Sequence, residues 1–208
     1  KAVELTIKSI GKCPKVSSVL LVLKRHEGRY VTSHSLMLAE VACAVAYRMG
    51  EGSSTAFLKL TMAALIHDLV IEDDALARIR TLEELDRSVD AGKFDSTQAR
   101  AFKFHPVKAA EYASTFKEVP ADVDTIILEH HERPDGTGFP RGLVQKQIHP
   151  LSALFIVAHE MLDFFLDTVP TADRNQMIPA FVADARPRFK DGGKEFERIW
   201  EALLEGDR

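Results

Sequence analysis

Apolar residues recur at three- and four-residue steps along most of this chain, and glycine, proline and short polar clusters separate the periodic stretches. From Ser33 onward Leu36, Leu38, Val41, Ala42, Val45 and Met49 form one such stripe, which Gly50 and Gly52 end. Ser54 or Thr55 is placed to cap the next helix, which carries Phe57, Leu58, Leu60, Met62, Leu65 and Ile66. Acidic residues follow at Glu72, Asp73 and Asp74, and Thr81-Leu82-Glu83-Glu84 then has the form of a capping box. Helices are expected from Ser96 to Phe116 and from Asp122 to Glu132, with Pro120 between them. Helical spacing resumes through Ile148, Leu151, Leu154, Phe155, Ala158 and Leu162, and two last helices are expected within Asn175 to Phe189 and Glu195 to Leu204.

Two stretches break the pattern. Val3, Leu5 and Ile7 alternate, which suits a short strand or the remnant of a preceding domain; Gly11, Pro14 and Ser17 interrupt it before a helix expected from about Val16 to His26. Between Arg133 and Gly142, Pro134, Gly136, Gly138, Pro140 and Gly142 exclude regular structure, so this segment is a loop. No repeat, low-complexity tract or linker divides the rest. The class is all-α.

A length of 208 residues suits one domain with a short appendage, and 46% hydrophobic with 28% charged residues is ordinary for a globular protein. A net charge of −4 gives no reason to expect nucleic-acid or membrane binding, so an anionic ligand would need a local positive site, such as bound metal. Cys13 and Cys43 are far apart, which fits a reduced, cytoplasmic interior with Cys43 in the core. No long apolar run or signal peptide is present, and a first residue of Lys1 rather than Met suggests a piece of a longer chain.

The chemistry lies in the eight histidines. Neutral imidazole is the commonest protein metal ligand, and carboxylates share its sites. Ala63-Ala64-Leu65-Ile66-His67-Asp68 puts a polar pair at the end of an apolar helix. Burying a neutral polar group without a partner costs roughly 2–7 kcal/mol, and a carboxylate more, so these side chains either bind something or reach water and backbone at a helix end. His130-His131-Glu132-Arg133-Pro134-Asp135-Gly136-Thr137-Gly138-Phe139-Pro140 sets adjacent histidines before a tightly specified turn. Neighbouring side chains on a helix point about 100° apart, but both serve one pocket when it lies over the helix end. His34, His105 and His159 fall on three other expected helices. Each alone reads as an ordinary core or surface histidine, yet with the two pairs they make six imidazoles and a carboxylate, the complement that two metal ions need. His26 and His149 sit beside loops and read as surface residues.

These residues resemble the HD-GYP family of the HD phosphohydrolase superfamily, from about Ser33 to Asp163. The resemblance rests on His34-Ser35, Ala63 to Asp68, His105-Pro106 and the block from His130 to Pro140. That block follows the pattern HHExxDGxGYP, with Phe139 where the family has tyrosine. The resemblance implies an HD-domain helical bundle with a binuclear metal site over residues 28–208, and an N-terminal segment, 1–27, as remnant of or link to an upstream domain. It further implies a cyclic di-GMP phosphodiesterase using metal-activated hydroxide. His34, His67 and Asp68 would hold one metal, and Asp68 would bridge to a second completed by His105, His130 and His131. His67 and Asp68 would be the catalytic pair. His159, in Val157-Ala158-His159, stands where the family places an aspartate. Two divalent ions are implied, iron first, with manganese or zinc as alternatives; imidazole-rich ligation argues against magnesium.

The chain departs from the family at cations. The family continues the His-Asp pair as Ile-Gly-Lys, where this chain has Leu69-Val70-Ile71, and the arginine usual three residues after the first histidine is Met37. Arg133 and Lys103 are the candidate replacements for binding substrate phosphate. Two other readings follow from these losses: a catalytically degenerate member that binds a cyclic dinucleotide or a protein partner, or a phosphohydrolase for another nucleotide. The loop around Asp135, Gly136, Gly138, Phe139 and Pro140 would serve as a contact surface for a signalling partner. Oligomeric state is left open.

Overall fold

The computed structural model describes residues 29–167 and 176–205. The expected N-terminal strand, the helix from Val16 to His26 and the whole 1–27 segment lie outside the described residues. Among the described residues eight α-helices succeed one another: α1 (Tyr30–Arg48), α2 (Ser54–Ile66), α3 (Leu82–Asp90), α4 (Ser96–Ser114), α5 (Val123–Glu129), α6 (Pro150–Asp167), α7 (Met177–Ala185) and α8 (Gly193–Leu204). Single 3-10 turns cover Gln145–Gln147 and Arg186–Phe189. The described residues contain no strand beyond one isolated bridge between Asp135 and Val144, so the all-α reading holds.

The helix starts follow from their capping chemistry, with small shifts. Ser53, one residue ahead of the expected cap, accepts from Ala56 N at 3.1 Å and starts α2. Thr81 caps α3 by accepting from Glu84 N, but the Glu84 carboxylate turns back to Arg80 N rather than to Thr81 N, so the expected box is displaced by one residue. At α4 the Asp95 and Gln98 side chains satisfy each other's backbone N–H groups in a complete capping box. Helix α5 is shorter than expected because the chain leaves it at His130 and turns into the loop.

α1 packs on α2 and α6, α5 packs on α2 and α4, and α8 closes over α1, α6 and α7. Ala39, Ala42 and Ala46 of α1 and Ala63 and Ala64 of α2 are wholly buried, so these two helices meet through small side chains. Larger residues fill the remaining core, among them Leu38, Leu60, Phe155, Phe181 and Trp200. Burying each such side chain stabilises the fold by roughly 1.5–3 kcal/mol. Ile71, Leu76, Ile79, Leu85, Phe94, Phe102 and Phe139 form a second apolar cluster, under the segment that leads from the His67-Asp68 pair to α4. Among the described residues, no helix is long and apolar enough to cross a membrane.

Candidate metal centre

Five helices bring the chemistry together. His34 comes from the first turns of α1, His67 and Asp68 from the end of α2, His105 from the middle of α4, His130 and His131 from the end of α5, and His159 from the middle of α6. All seven predicted ligands are at most 8% exposed. They gather as two adjoining sets, His34 with His67, Asp68 and His159, and His105 with His130 and His131; within each set the nearest ligand atoms all lie within 4.8 Å of one another. Asp68 joins the sets: its Oδ2 lies 3.3 Å from His67 Nε2, and its Oδ1 lies 3.2 Å from His105 Nε2 and 3.8 Å from His130 Nε2.

Backbone carbonyls decide which imidazole nitrogen faces inward. His67, His105 and His130 donate from Nδ1 to the carbonyls three residues earlier, Ala64 at 2.9 Å, Phe102 at 2.6 Å and Ile127 at 2.6 Å. With the proton held on Nδ1, the Nε2 lone pair is left to point into the cluster. His67 and His130 reach carbonyls that helix ends leave without an N–H partner. At His34 the Nδ1 atom meets the hydroxyl of Tyr30, one turn earlier, at 3.2 Å.

Burial disfavours the charged form of four of the imidazoles. It pushes His34 down to about 3 and holds His130, His131 and His159 well below the usual histidine range, each with neighbouring histidines adding to the effect. His67 is the exception. Burial would lower it, but the adjoining Asp68 carboxylate raises it. Burial would likewise raise Asp68, yet His67 and His105 hold its carboxyl well below the usual carboxylate range.

This donor set fits divalent metal. His67 Nε2 and Asp68 Oδ1 are buried without a hydrogen bond, a costly arrangement for two groups aimed at one point. His34 Nε2 and His159 Nε2 are 2.9 Å apart, and His105 Nε2 and His130 Nε2 are 3.1 Å apart. Two nitrogens bound at right angles to one ion at roughly 2.1 Å stand about 3.0 Å apart. Deprotonated imidazole nitrogens and an ionised carboxylate are what ligation requires, so binding a metal here would release any proton held on the inward nitrogens.

The loop after α5 is built to fixed dimensions. Glu132 is wholly buried and accepts from Arg141 N at 2.8 Å and Leu143 N at 2.7 Å. Glu129 accepts from the Arg141 guanidinium and from His149 N. Asp135 forms a local turn by accepting from Thr137 N and Oγ1. Gly136 has φ +82°, and a Cβ on Gly138 would stand 2.2 Å from Arg133 N. Phe139 stacks on His131, with ring centroids 4.4 Å apart and planes at 16°, so the ring replacing the family tyrosine still packs against a predicted ligand; a cis peptide joins it to Pro140.

The two expected phosphate-binding cations part company. Arg133 lines a cleft beside His131 and Phe139. Lys103 does not reach it: on the outer face of α4, it pairs with Asp86 at 3.3 Å. Met37 is half-buried, and Ile71 belongs to the second apolar cluster.

Several contributors were not foreseen. Asp163 lies 3.8 Å from His34 Nδ1 and 4.0 Å from His159 Nδ1, with the Arg80 guanidinium against it; burial pushes its carboxyl up to about 7 despite that arginine. Glu160 pairs with Arg133 and Arg188. The one available signal was spacing, since Tyr30 precedes His34 and Asp163 follows His159 by a single helical turn.

A family model described as an HD domain matches residues 83–178. The cyclic di-GMP phosphodiesterase PA4108 of Pseudomonas aeruginosa is 28% identical over 149 residues, 70% of this chain and 33% of that protein. The cyclic di-GMP phosphodiesterase response regulator RpfG of Xanthomonas campestris is 29% identical over 174 residues, 81% of this chain and 41% of that protein. The chain thus spans a third to two fifths of the length of these relatives. Among solved structures, Bd1817, an HDG"Y"P protein from Bdellovibrio bacteriovorus, superposes with a TM-score of 0.59 over 96% of this chain and 65% of its own, at 20% identity, a likeness of fold. The chain is thus similar to HD-domain proteins over residues 83–178 and to cyclic di-GMP phosphodiesterases over most of its length, with Phe139 where the HD-GYP pattern has tyrosine.

Proposed function

We propose that this chain is a metal-dependent cyclic di-GMP phosphodiesterase that carries two divalent ions, iron first, with manganese or zinc as alternatives. The observation that supports it most directly is Asp68, its carboxylate shared between two adjoining sets of buried histidines. In this reading His34, His67, Asp68 and His159 would hold one ion, and His105, His130 and His131, beside the same Asp68, would hold the other. Bound there, the pair of metals would supply Lewis acidity toward the phosphodiester and a nucleophilic hydroxide at neutral pH.

The chain's own residues do the rest. The carbonyls of Ala64, Phe102 and Ile127 keep the Nδ1 protons in place, so three ligands present one fixed face. His159, standing where the family has an aspartate, removes one negative charge and makes the site more cationic, which favours an anionic ligand. Phe139 shields one face of His131, and Arg133 stands beside it in the open cleft. The cyclic dinucleotide is the substrate named for both relatives.

Protein purified anaerobically with iron, counted for metal and incubated with cyclic di-GMP tests this. About two metals with steady turnover, both lost in Asp68→Ala, is the expected result. About two metals without turnover would overturn the catalytic reading and favour a role in binding the dinucleotide or a partner, in keeping with Ile71 and Met37 at the two cation positions.

A further inference from the structure

The cleft beside the metal centre, of about 380 Å³, is lined by His131 and Phe139 and by four cations, Arg80, Arg133, Arg188 and Lys190, against the two carboxylates Glu83 and Asp135. These cations come from separate parts of the chain. Arg80 precedes α3, Arg133 opens the loop, and Arg188 and Lys190 lie in and just after the 3-10 turn behind α7. Arg80 is already matched by Asp163 and Asp167.

Arg133 and Arg188 are held differently. Both pair with the Glu160 carboxylate, Arg133 at Oε1 and Arg188 at Oε2, the latter at 2.8 Å. The Glu160 side chain is 11% exposed and follows His159 directly on α6, so one helix carries a predicted ligand and the anchor of both guanidiniums. Arg133 also lies over the Phe189 ring at 5.0 Å, and Asp184 takes the far edge of Arg188. Glu160 and Asp184 together offset the charge of the two guanidiniums while fixing them, so the pair offers oriented N–H donors and Lys190 supplies the unpaired charge. Lys190 is exposed and makes no ion pair among the described residues.

We propose that Arg188 and Lys190, with Arg133, form the phosphate-binding wall of this cleft and take over the role left vacant at Met37 and Ile71. The inference rests on the reading of the centre as a phosphoester site. Guanidiniums fixed in orientation suit the non-bridging oxygens of a phosphoryl group, and the lysine adds a mobile point charge. No local motif announces this wall, because its members are up to 57 residues apart in sequence (133 to 190).

Arg188 and Lys190 are exposed, and Arg133 still pairs with Glu160 when Arg188 is removed, so alanine at both perturbs the fold less than alanine at Arg133. The metal-loaded full chain and the Arg188→Ala/Lys190→Ala variant would be titrated calorimetrically with cyclic di-GMP and with GMP, and the metal content of each preparation measured. The expected result is a Kd for cyclic di-GMP raised about tenfold or more, a shallower salt dependence and unchanged metal content. Equal affinities at equal metal content would overturn the wall and leave the phosphodiesterase reading standing. Binding of GMP alone, weakened in the variant, would support the wall and overturn the dinucleotide as ligand. Binding of neither ligand by the unaltered chain would overturn both.

Discussion

His105 donates its Nδ1 proton to the carbonyl of Phe102 at 2.6 Å, an acceptor that an uninterrupted helix would give to the N–H of residue 106. Residue 106 is proline and has no N–H, so the carbonyl inside α4 stays free for the imidazole. The His-Pro pair thus sets a tautomer. Pro106→Ala returns the competing donor and improves helix propensity. It is expected to lower metal affinity about tenfold while leaving the melting temperature of the metal-free protein unchanged or higher. A competition titration with a chelator, alongside thermal melts, checks both halves; undiminished affinity would count against the tautomer role.

Glu132 is the structural centre of the loop. Glu132→Ala leaves Arg141 N and the buried Leu143 N without acceptors, at about 1–3 kcal/mol for each buried donor. Glu132→Gln retains one acceptor oxygen and should lose about half as much. Urea unfolding of the three proteins would rank them, and indistinguishable midpoints would refute the assignment.

At Gly138 the obstacle to a side chain is backbone, since a Cβ would stand 2.2 Å from Arg133 N and 2.5 Å from the Glu132 carbonyl carbon. Gly138→Ala must therefore move the loop as a unit. We expect a loss of about 2–4 kcal/mol and a weaker second metal, because His131 lies at the root of the same loop. Gly92→Ala, where φ is +70° but no atom lies within 4 Å, is the comparison for conformational strain alone.

The metal-free protein should lose stability as pH falls. Burial holds His34 at about 3 and His130, His131 and His159 well below the ordinary histidine value. Below about pH 6.5 the unfolded chain takes up protons that these four refuse in the fold, so stability present at neutral pH is lost progressively on acidification. His67, raised by Asp68, and Asp163, pushed up to about 7 by burial, oppose this as two groups against four. Chelator-treated protein should show a falling urea midpoint from pH 7.5 to 5.5; a flat profile would mean the imidazoles are not held neutral.

The fold was legible because its helices bury apolar stripes and its breaks contain glycine or proline, as at Gly50 and between Pro134 and Gly142. That His67, Asp68, His130 and His131 would gather was legible because they form local pairs at helix ends; His34, His105 and His159 were placed with them by the resemblance. Glu129, Glu132 and Glu160 were not, since a lone acidic residue on a helix looks the same in sequence whether it meets water or a buried N–H. Lys103 was misplaced for a related reason: proximity to His105 in sequence does not fix the helical face, and it points to Asp86 instead. Arg188 and Lys190 reach the cleft only through the packing of α7 and α8, which no local pattern encodes.

Ile71 sits 5% exposed within an apolar cluster that includes Leu85, Phe94, Phe102 and Phe139. A lysine there would bury an ammonium among rings and aliphatic chains. A single change to lysine at this position therefore works against the fold, and the cations that line the cleft come instead from other parts of the chain, Arg80, Arg133, Arg188 and Lys190.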